Sequence, residues 1–450
     1  MADRSRGEIS RRQFVTGLGA LTGVRLLAPI VVRAGEGLGQ ALADPATGKR
    51  NRLIVLFLQG GNDGLNTVVP MGDVRGAPRY SVYKKVRPTI AYKPEEVLRL
   101  ARSGDVDEHL GLNAKLQTLH RLYESNRVAI VQGVDYPDHS YSHFTSTDIW
   151  QSGQPDITPD SGWIGRHLDR TGIGEGELRG LGLGTELPLA LRGTQKRGAE
   201  LESIPATHFI DGTDKDKVAA ARHDALERYG HHPLEEPLRH FAGKQAEITV
   251  GLVRTLQGMN GPPELTNYLA YTLLTARSLM ERDFGVECVF INHGYGSYDT
   301  HAAQVKAQET LLQELDEAIE AFYFGTIAGA DIGVGPISKS LGDRTILLTT
   351  SEFGRRIGEA GGAGVAGTDH GAAGPLFIVG PPSSARASST RLMPGLHGDH
   401  PRMGTTRSPA DNLEMTTDIR SVYQSVLEDW LHNPDPGYGR KFRPIDGLFV

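Results

Sequence analysis

Cysteine is nearly absent from this 450-residue chain, in which Cys288 stands alone. A single thiol excludes an internal disulfide and a cysteine-rich zinc knot. Cys288 follows a helical pattern and opens an apolar run, the setting of a buried, inert thiol. Positive charge is also scarce. The 48 Lys and Arg residues are outnumbered by 54 Asp and Glu, the net charge is -6, and no basic field marks a nucleic-acid surface. Nucleotide-binding signatures are missing, since residues 59–66 (QGGNDGLN) match neither GxGxxG nor a P-loop. No internal repeat is found. Long hydrophobic runs are lacking too, so nothing in the mature chain approaches the roughly 20 apolar residues that span a bilayer.

What is present suits a soluble globular protein: 38% hydrophobic and 23% charged residues, with 56 glycines that signal many loops. The chain exceeds the usual size of one domain, though α/β folds of this length can share one core. Residues 10–15 (SRRQFV) match the twin-arginine export pattern, a mildly apolar stretch follows at 16–32, and Ala41-Leu42-Ala43 forms a small-x-small cleavage site. Residues 1–43 are therefore expected to be a removable signal handled by the twin-arginine translocase. Residues 44–450 are expected to form a single α/β domain in the periplasm or outside the cell. That route carries folded proteins, so a metal can be loaded before export.

Four apolar runs read as strands, each followed by a polar tip. Residues 53–58 (LIVLFL) lead to Asn62 and Asp63, which a metal site or an ordinary Asn-Asp-Gly turn explains. Residues 128–131 (VAIV) precede 135–150 (DYPDHSYSHFTSTDIW), where a helix begins near Phe144. A hydroxyl at a helix start is a good nucleophile position, because the dipole and free N–H groups favour an alkoxide and an anionic substrate. Ser142 leads, Ser146 and Thr145 compete, and simple capping is the other reading. His139 and His143 are candidate ligands in the same segment. Residues 288–291 (CVFI) lead to Asp299 and His301, an Asp-x-His suited to zinc or another divalent metal, unless Asp299 caps the next helix. Residues 346–350 (ILLTT) lead to Glu352, Phe353 and Arg355, then to a glycine loop, Asp369-His370, and a further strand at 375–380. Such an order places ligands at the carboxyl edge of a sheet.

The remaining segments are plainer. Residues 71–110 read as surface decoration, with no support for a substrate role of Arg87. Residues 113–126 read as an amphipathic helix that Asn113 would cap. Residues 151–285 read as a more helical insertion, with helices at 218–229, 237–256 and 273–280 and a strand and hairpin at 181–191. His397, Asp399 and His400 share a loop, and Asp418 starts a C-terminal helix.

As a set, LFLQGGNDGLN (56–66), SHFTSTDIW (142–150), YDTHAAQ (298–304), TSEFGR (350–355), GTDHG (367–371) and TTDIRSVY (416–423) resemble the bacterial domain-of-unknown-function family 1501, which is placed in the alkaline-phosphatase-like and sulfatase-like superfamily. The likeness covers nearly the whole mature chain. It implies an alkaline-phosphatase-like α/β fold, a largely parallel sheet sandwiched by helices, with one or two divalent metals at its carboxyl edge. A Ser, Thr or modified Cys there attacks phosphorus or sulfur. Position by position, Asp63 resembles the first-strand metal carboxylate, Ser142 the nucleophile, Asp299 and His301 paired ligands, and His370, with Asp369 beside it, the last metal histidine. Glu352 stands where the superfamily has Asp followed by His, and Phe353 replaces that histidine. The replacement implies one metal, or a harder ion such as calcium, magnesium or manganese in place of zinc. Without a cysteine in the nucleophile loop, the cysteine-derived formylglycine of true sulfatases is excluded there. His143, Asn62, Ser146 and Arg355 complete the candidate set.

The function expected is an exported, metal-dependent hydrolase of phosphate or sulfate esters, acting on a small-molecule, lipid or polysaccharide ester. The alternative is an exported, non-catalytic binding or assembly protein that retains the fold.

Overall fold

Strand β1 (Arg52–Leu58) is buried along all 7 of its residues. Its side chains alternate between two cores: Ile54, Leu56 and Leu58 join one, Leu53, Val55 and Phe57 the other. A strand covered on both faces needs an unbroken apolar sequence, which residues 53–58 supply. The computed structural model describes residues 50–450 except 74–79, 102–108, 157, 172–178, 185–186, 195–198, 202–265, 282–284, 383, 386–389, 404–407, 409, 434, 436 and 438–440.

The rest of the main sheet is β2 (Val128–Asp135), β3 (Gly180–Leu183), β4 (Ala199–Leu201), β5 (Cys288–His293), β6 (Thr345–Thr350), β7 (Gly374–Val379), β8 (Gly395–His397) and β9 (Thr417–Asp418). Their spatial order is β8-β2-β7-β6-β1-β5-β3-β4, with β9 also on β2. β1 is parallel to both neighbours, with Leu53 opposite Cys288 on β5 and Ile346 on β6. Among the described strands of this sheet, β7 alone runs against its neighbours. The expected α/β class, with a largely parallel sheet between helices, is what the chain adopts.

Seven helices matter for the site: α1 (Gly64–Thr67), α2 (Gln117–Glu124), α3 (His143–Ser152), α4 (Trp163–Thr171), α5 (Tyr268–Glu281), α6 (Gln304–Phe324) and α7 (Ile419–Ser425). α2, α5 and α6 pack on one face of the sheet, and α3, α4 and α7 on the other. On α6, Leu311, Leu312, Leu315, Ile319 and Phe322 recur at three- and four-residue spacing and are buried. Each such side chain withdrawn from water stabilises the fold by about 1.5–3 kcal/mol.

The direction of β7 sets up the site. Parallel strands β1, β2, β5 and β6 all end at one edge of the sheet, and β7, running the other way, begins there. The segment just before β7, which carries His370, therefore arrives where the loops after the other four strands also lie.

Several expectations need correction. Within residues 151–285, β3 lies where a strand was expected, β4 was not expected, and the expected hairpin around 188–191 is a single 3-10 turn, Leu189–Leu191. The helices expected at 218–229 and 237–256 lie outside the described residues, as does the N-terminal segment 1–43. Residues 71–110 are more than decoration. Val68–Pro70, Val97–Arg99 and Leu110–Asn113 pair into a small antiparallel sheet, and Arg87 is fully buried. Asn113 does not cap α2, which starts at Gln117; its side chain bonds Lys115 N and the Asn66 carbonyl. Asp418 does cap α7, accepting from Arg420 N at 2.9 Å. Cys288 is buried as expected, and burial pushes its thiol pKa up. No helix among the described residues is long and apolar enough to cross a membrane.

Candidate metal centre

The loop after β5 reaches Asp299 by passing against the tip of β1. Gly60 there has a φ of +119°, and a β-carbon on it would meet the Asp299 nitrogen at 2.4 Å. Glycine is required on both counts. Asp299 is not a helix cap, because α6 starts at Gln304 behind Ala303, and its carboxylate is left for other partners. Its Oδ1 lies 2.9 Å from Nε2 of His370 and 3.0 Å from Nε2 of His301. Its Oδ2 lies 3.4 Å from Nε2 of His143. The Nε2 atoms of His301 and His370 are 3.0 Å apart.

Each imidazole is held by its other nitrogen. Nδ1 of His143 meets Glu352 Oε1 at 2.8 Å, Nδ1 of His301 meets Asp369 Oδ1 at 3.1 Å, and Nδ1 of His370 meets the Tyr141 carbonyl at 2.8 Å. Carboxylate and carbonyl oxygens only accept, so each Nδ1 carries a proton, and each Nε2, turned toward Asp299, is a second donor when protonated and a metal ligand when not. Nitrogen lone pairs this close to one another repel unless a proton or a metal cation lies between them. Oxygen acceptors behind histidines are also the usual way in which metal-binding imidazoles are oriented. His143, Asp299 and His370 each offer an atom within 4.8 Å of the others.

The electrostatics lean the same way. Glu352 is fully buried; its Oε1 also accepts from Gly60 N at 2.8 Å, and its Oε2 has no hydrogen-bond partner among the described residues. The hydrogen bond to Glu352 raises the His143 pKa above the ordinary histidine value, outweighing burial. Burial would raise Asp299, but hydrogen bonds from Arg355 and His370 prevail and hold it at about 2. Arg355 is buried, giving 2.7 Å bonds to Asp299 Oδ1 and the Gly61 carbonyl and a 2.8 Å bond to the Thr368 carbonyl. Asp299 and Glu352 both act on this one guanidinium, and Asp369 lies behind His301. The Phe353 ring closes one side, with its centroid 4.8 Å from that of His143 and 4.6 Å from that of His370.

Of the candidates from sequence, His143, Asp299, His301 and His370 converge, while Glu352 and Asp369 stand behind histidines. Asp63 does not join them. Its Oδ2 accepts from Arg87 at 2.6 Å and from Gln304 Nε2, and its Oδ1 from Arg87 at 3.0 Å and Leu65 N at 3.2 Å. Asp63 is thus the cap of α1 and half of a buried ion pair, with its oxygens already engaged. Asn62 is buried, its Oδ1 accepting from Thr67 and Gln308. Ser146 is buried and donates to the Ser140 carbonyl at 2.7 Å, which removes it as a nucleophile. Ser142 is exposed and caps α3, accepting from Thr145 N at 3.5 Å. Its neighbours Tyr141 and His143 both bond to the cluster. His139 bonds the Tyr141 hydroxyl, His397 the Met393 carbonyl and His400 the Gln132 side chain. The Tyr141 carbonyl was not foreseen, because no side-chain pattern marks a backbone acceptor.

A family model described as a protein of unknown function, DUF1501, matches residues 129–380. No curated protein matches the chain. Similar solved structures include a mutant of the TAB5 alkaline phosphatase with magnesium bound, 11% identical, with 74% of this chain and 92% of that chain covered and a TM-score of 0.29. Another is the PH0037 protein from Pyrococcus horikoshii, also 11% identical, with 87% and 98% covered and a TM-score of 0.31. At scores this low, neither informs the reading of the site.

Proposed function

The chain belongs to the DUF1501 family of proteins of unknown function, and from that premise we propose that it is a metal-dependent hydrolase of phosphate or sulfate esters, exported by the twin-arginine route. The observation that carries this reading is the triple arrangement at Asp299: three imidazoles, each tied at Nδ1, each with Nε2 turned to one carboxylate. His143, His301, His370 and Asp299 would hold the metal. A donor set of three nitrogens and one oxygen suits zinc better than calcium, magnesium or manganese, which prefer oxygen.

When bound, the metal supplies a positive charge that lowers the pKa of an attacking hydroxyl and offsets charge developing on the ester oxygens. Ser142 offers that hydroxyl at the start of α3, where free N–H groups favour an anion. Its Oγ forms a bond to phosphorus or sulfur as the ester oxygen departs, and water then releases the covalent intermediate. Glu352, Asp369 and the Tyr141 carbonyl keep the three imidazoles in place. Phe353 excludes water from one side.

The test is turnover of an aryl phosphate and an aryl sulfate by zinc-loaded protein. Ser142→Ala is expected to lower kcat on the order of a thousandfold or more. Turnover unchanged by that substitution would remove Ser142 from the chemistry. A complete lack of turnover would favour the second reading, a non-catalytic binding or assembly protein. One observation supports that second reading: Arg355 already places a cation 2.7 Å from Asp299 Oδ1.

A further inference from the structure

Arg356 lies opposite Asp369, one residue from His370, and among the described residues its guanidinium has no carboxylate partner. Arg355 and His370 face each other across an antiparallel bridge, and the adjacent Arg356 N donates to the Asp369 carbonyl at 3.0 Å. Arg356 and Asp369 are thus opposite residues on the next rung, a relation that keeps β-carbons roughly 4.5–5.5 Å apart. An Arg and an Asp so placed would ordinarily pair. Here Asp369 turns to His301, while the Arg356 guanidinium turns to Tyr141, its carbon 4.6 Å from the ring centroid. One of its N–H groups is bonded to the Ala410 carbonyl. Among the described residues it pairs with no carboxylate, and it is only partly buried.

The support under that guanidinium is built rather than loose. The Tyr141 hydroxyl bonds Asn412 Nδ2 and His139 Nε2, each at 2.9 Å, and its carbonyl holds His370. The Arg356 carbonyl in turn accepts from buried Arg87 at 2.8 Å. A planar cation stacked on an aromatic ring loses little further freedom on meeting an oxyanion, and its free N–H groups match a carboxylate or phosphate.

We propose that Arg356 is the specificity residue of this centre and binds an oxyanion of the substrate beside the metal-binding histidines. The proposal rests on the metal-centre reading for its location, not for its binding chemistry. Two sources of the anion are distinguishable: the ester group itself, or a second acidic group on the same substrate.

Titration calorimetry of zinc-loaded protein with inorganic phosphate and with phosphonoacetate, which carries a phosphonate and a carboxylate, tests it. Arg356→Ala is expected to weaken at least one of the two by about tenfold or more, with metal content unchanged. Loss for phosphate identifies the ester group; loss for phosphonoacetate alone identifies a second acid. Arg356→Lys should recover part of the affinity, since it keeps charge without the planar fork. If Arg356→Ala does not fold, Arg356→Gln carries the same comparison. Equal affinities in parent and variants for both probes, or no binding by the parent, overturn the proposal. Arg356-dependent anion binding by a protein that takes up no zinc would leave this proposal standing and remove the metal-centre reading. Normal zinc uptake with anion binding indifferent to Arg356 would do the reverse.

Discussion

Asp63 and Asp299 are the same residue type, each a few positions beyond a strand of one sheet, and their surroundings give them opposite duties. Asp63 is buried against Arg87, and Asp299 is about one-third exposed among three imidazoles. The histidine two positions after Asp299 separates them in part, but nothing near Asp63 announces its partner. The residue that decides, Arg87, lies 24 positions from Asp63 in a stretch without hydrophobic rhythm. His143 carries the complementary lesson. It looks like one more loop histidine until α3 and Glu352 bring it to Asp299, and the same contact raises its pKa above 6.5. A metal must displace the proton that Glu352 helps His143 to keep, so zinc affinity should fall as pH drops through that raised value, earlier than for an ordinary histidine. Competition titrations between about pH 8 and about pH 5.5 would show the decline. An affinity flat across that range would contradict the assignment of His143 as a ligand.

At the scale of elements, the strands that form the middle of the sheet were legible. Residues 53–58, 288–291 and 346–350 are unbroken apolar runs because both sheet faces are covered, and each lies within an observed strand. β3 was legible only as a short strand beginning at Leu181, and β4 was not, since 3 residues leave little apolar signal. The polar cluster at the foot of β5 was equally hidden. His167 on α4, Arg179, Glu287 and Asn433 meet there from three separate parts of the chain. His167, Glu287 and Cys288 also have metal-type spacing, but Glu287 is bonded by Arg179 at 2.7 Å, which marks a structural tie. Removing Glu287 takes away the carboxylate that buried Arg179 and His167 share. Glu287→Ala should therefore cost about 3–5 kcal/mol in urea unfolding and leave zinc uptake intact. A loss within about 0.5 kcal/mol, the range of ordinary surface changes, would show that the cluster does not hold the strand.

Across the whole molecule, one edge of the sheet collects Gly60, His143, Asp299, His301, Glu352 and His370, segments spread over about 310 residues of chain. That gathering depends on β7 running backwards, which brings His370 in from the same side as the loops that follow parallel strands. The motif set indicated the family and the sheet edge, but not which carboxylates had been taken up by arginines. The central claim is a metal held by His143, His301, His370 and Asp299. Metal analysis of purified protein after incubation with zinc measures it most directly. The account predicts stoichiometric zinc that Asp299→Ala and His370→Ala each abolish and Asp63→Asn retains. No uptake of zinc, manganese or calcium, or zinc lost with Asp63→Asn and kept with Asp299→Ala, would contradict it.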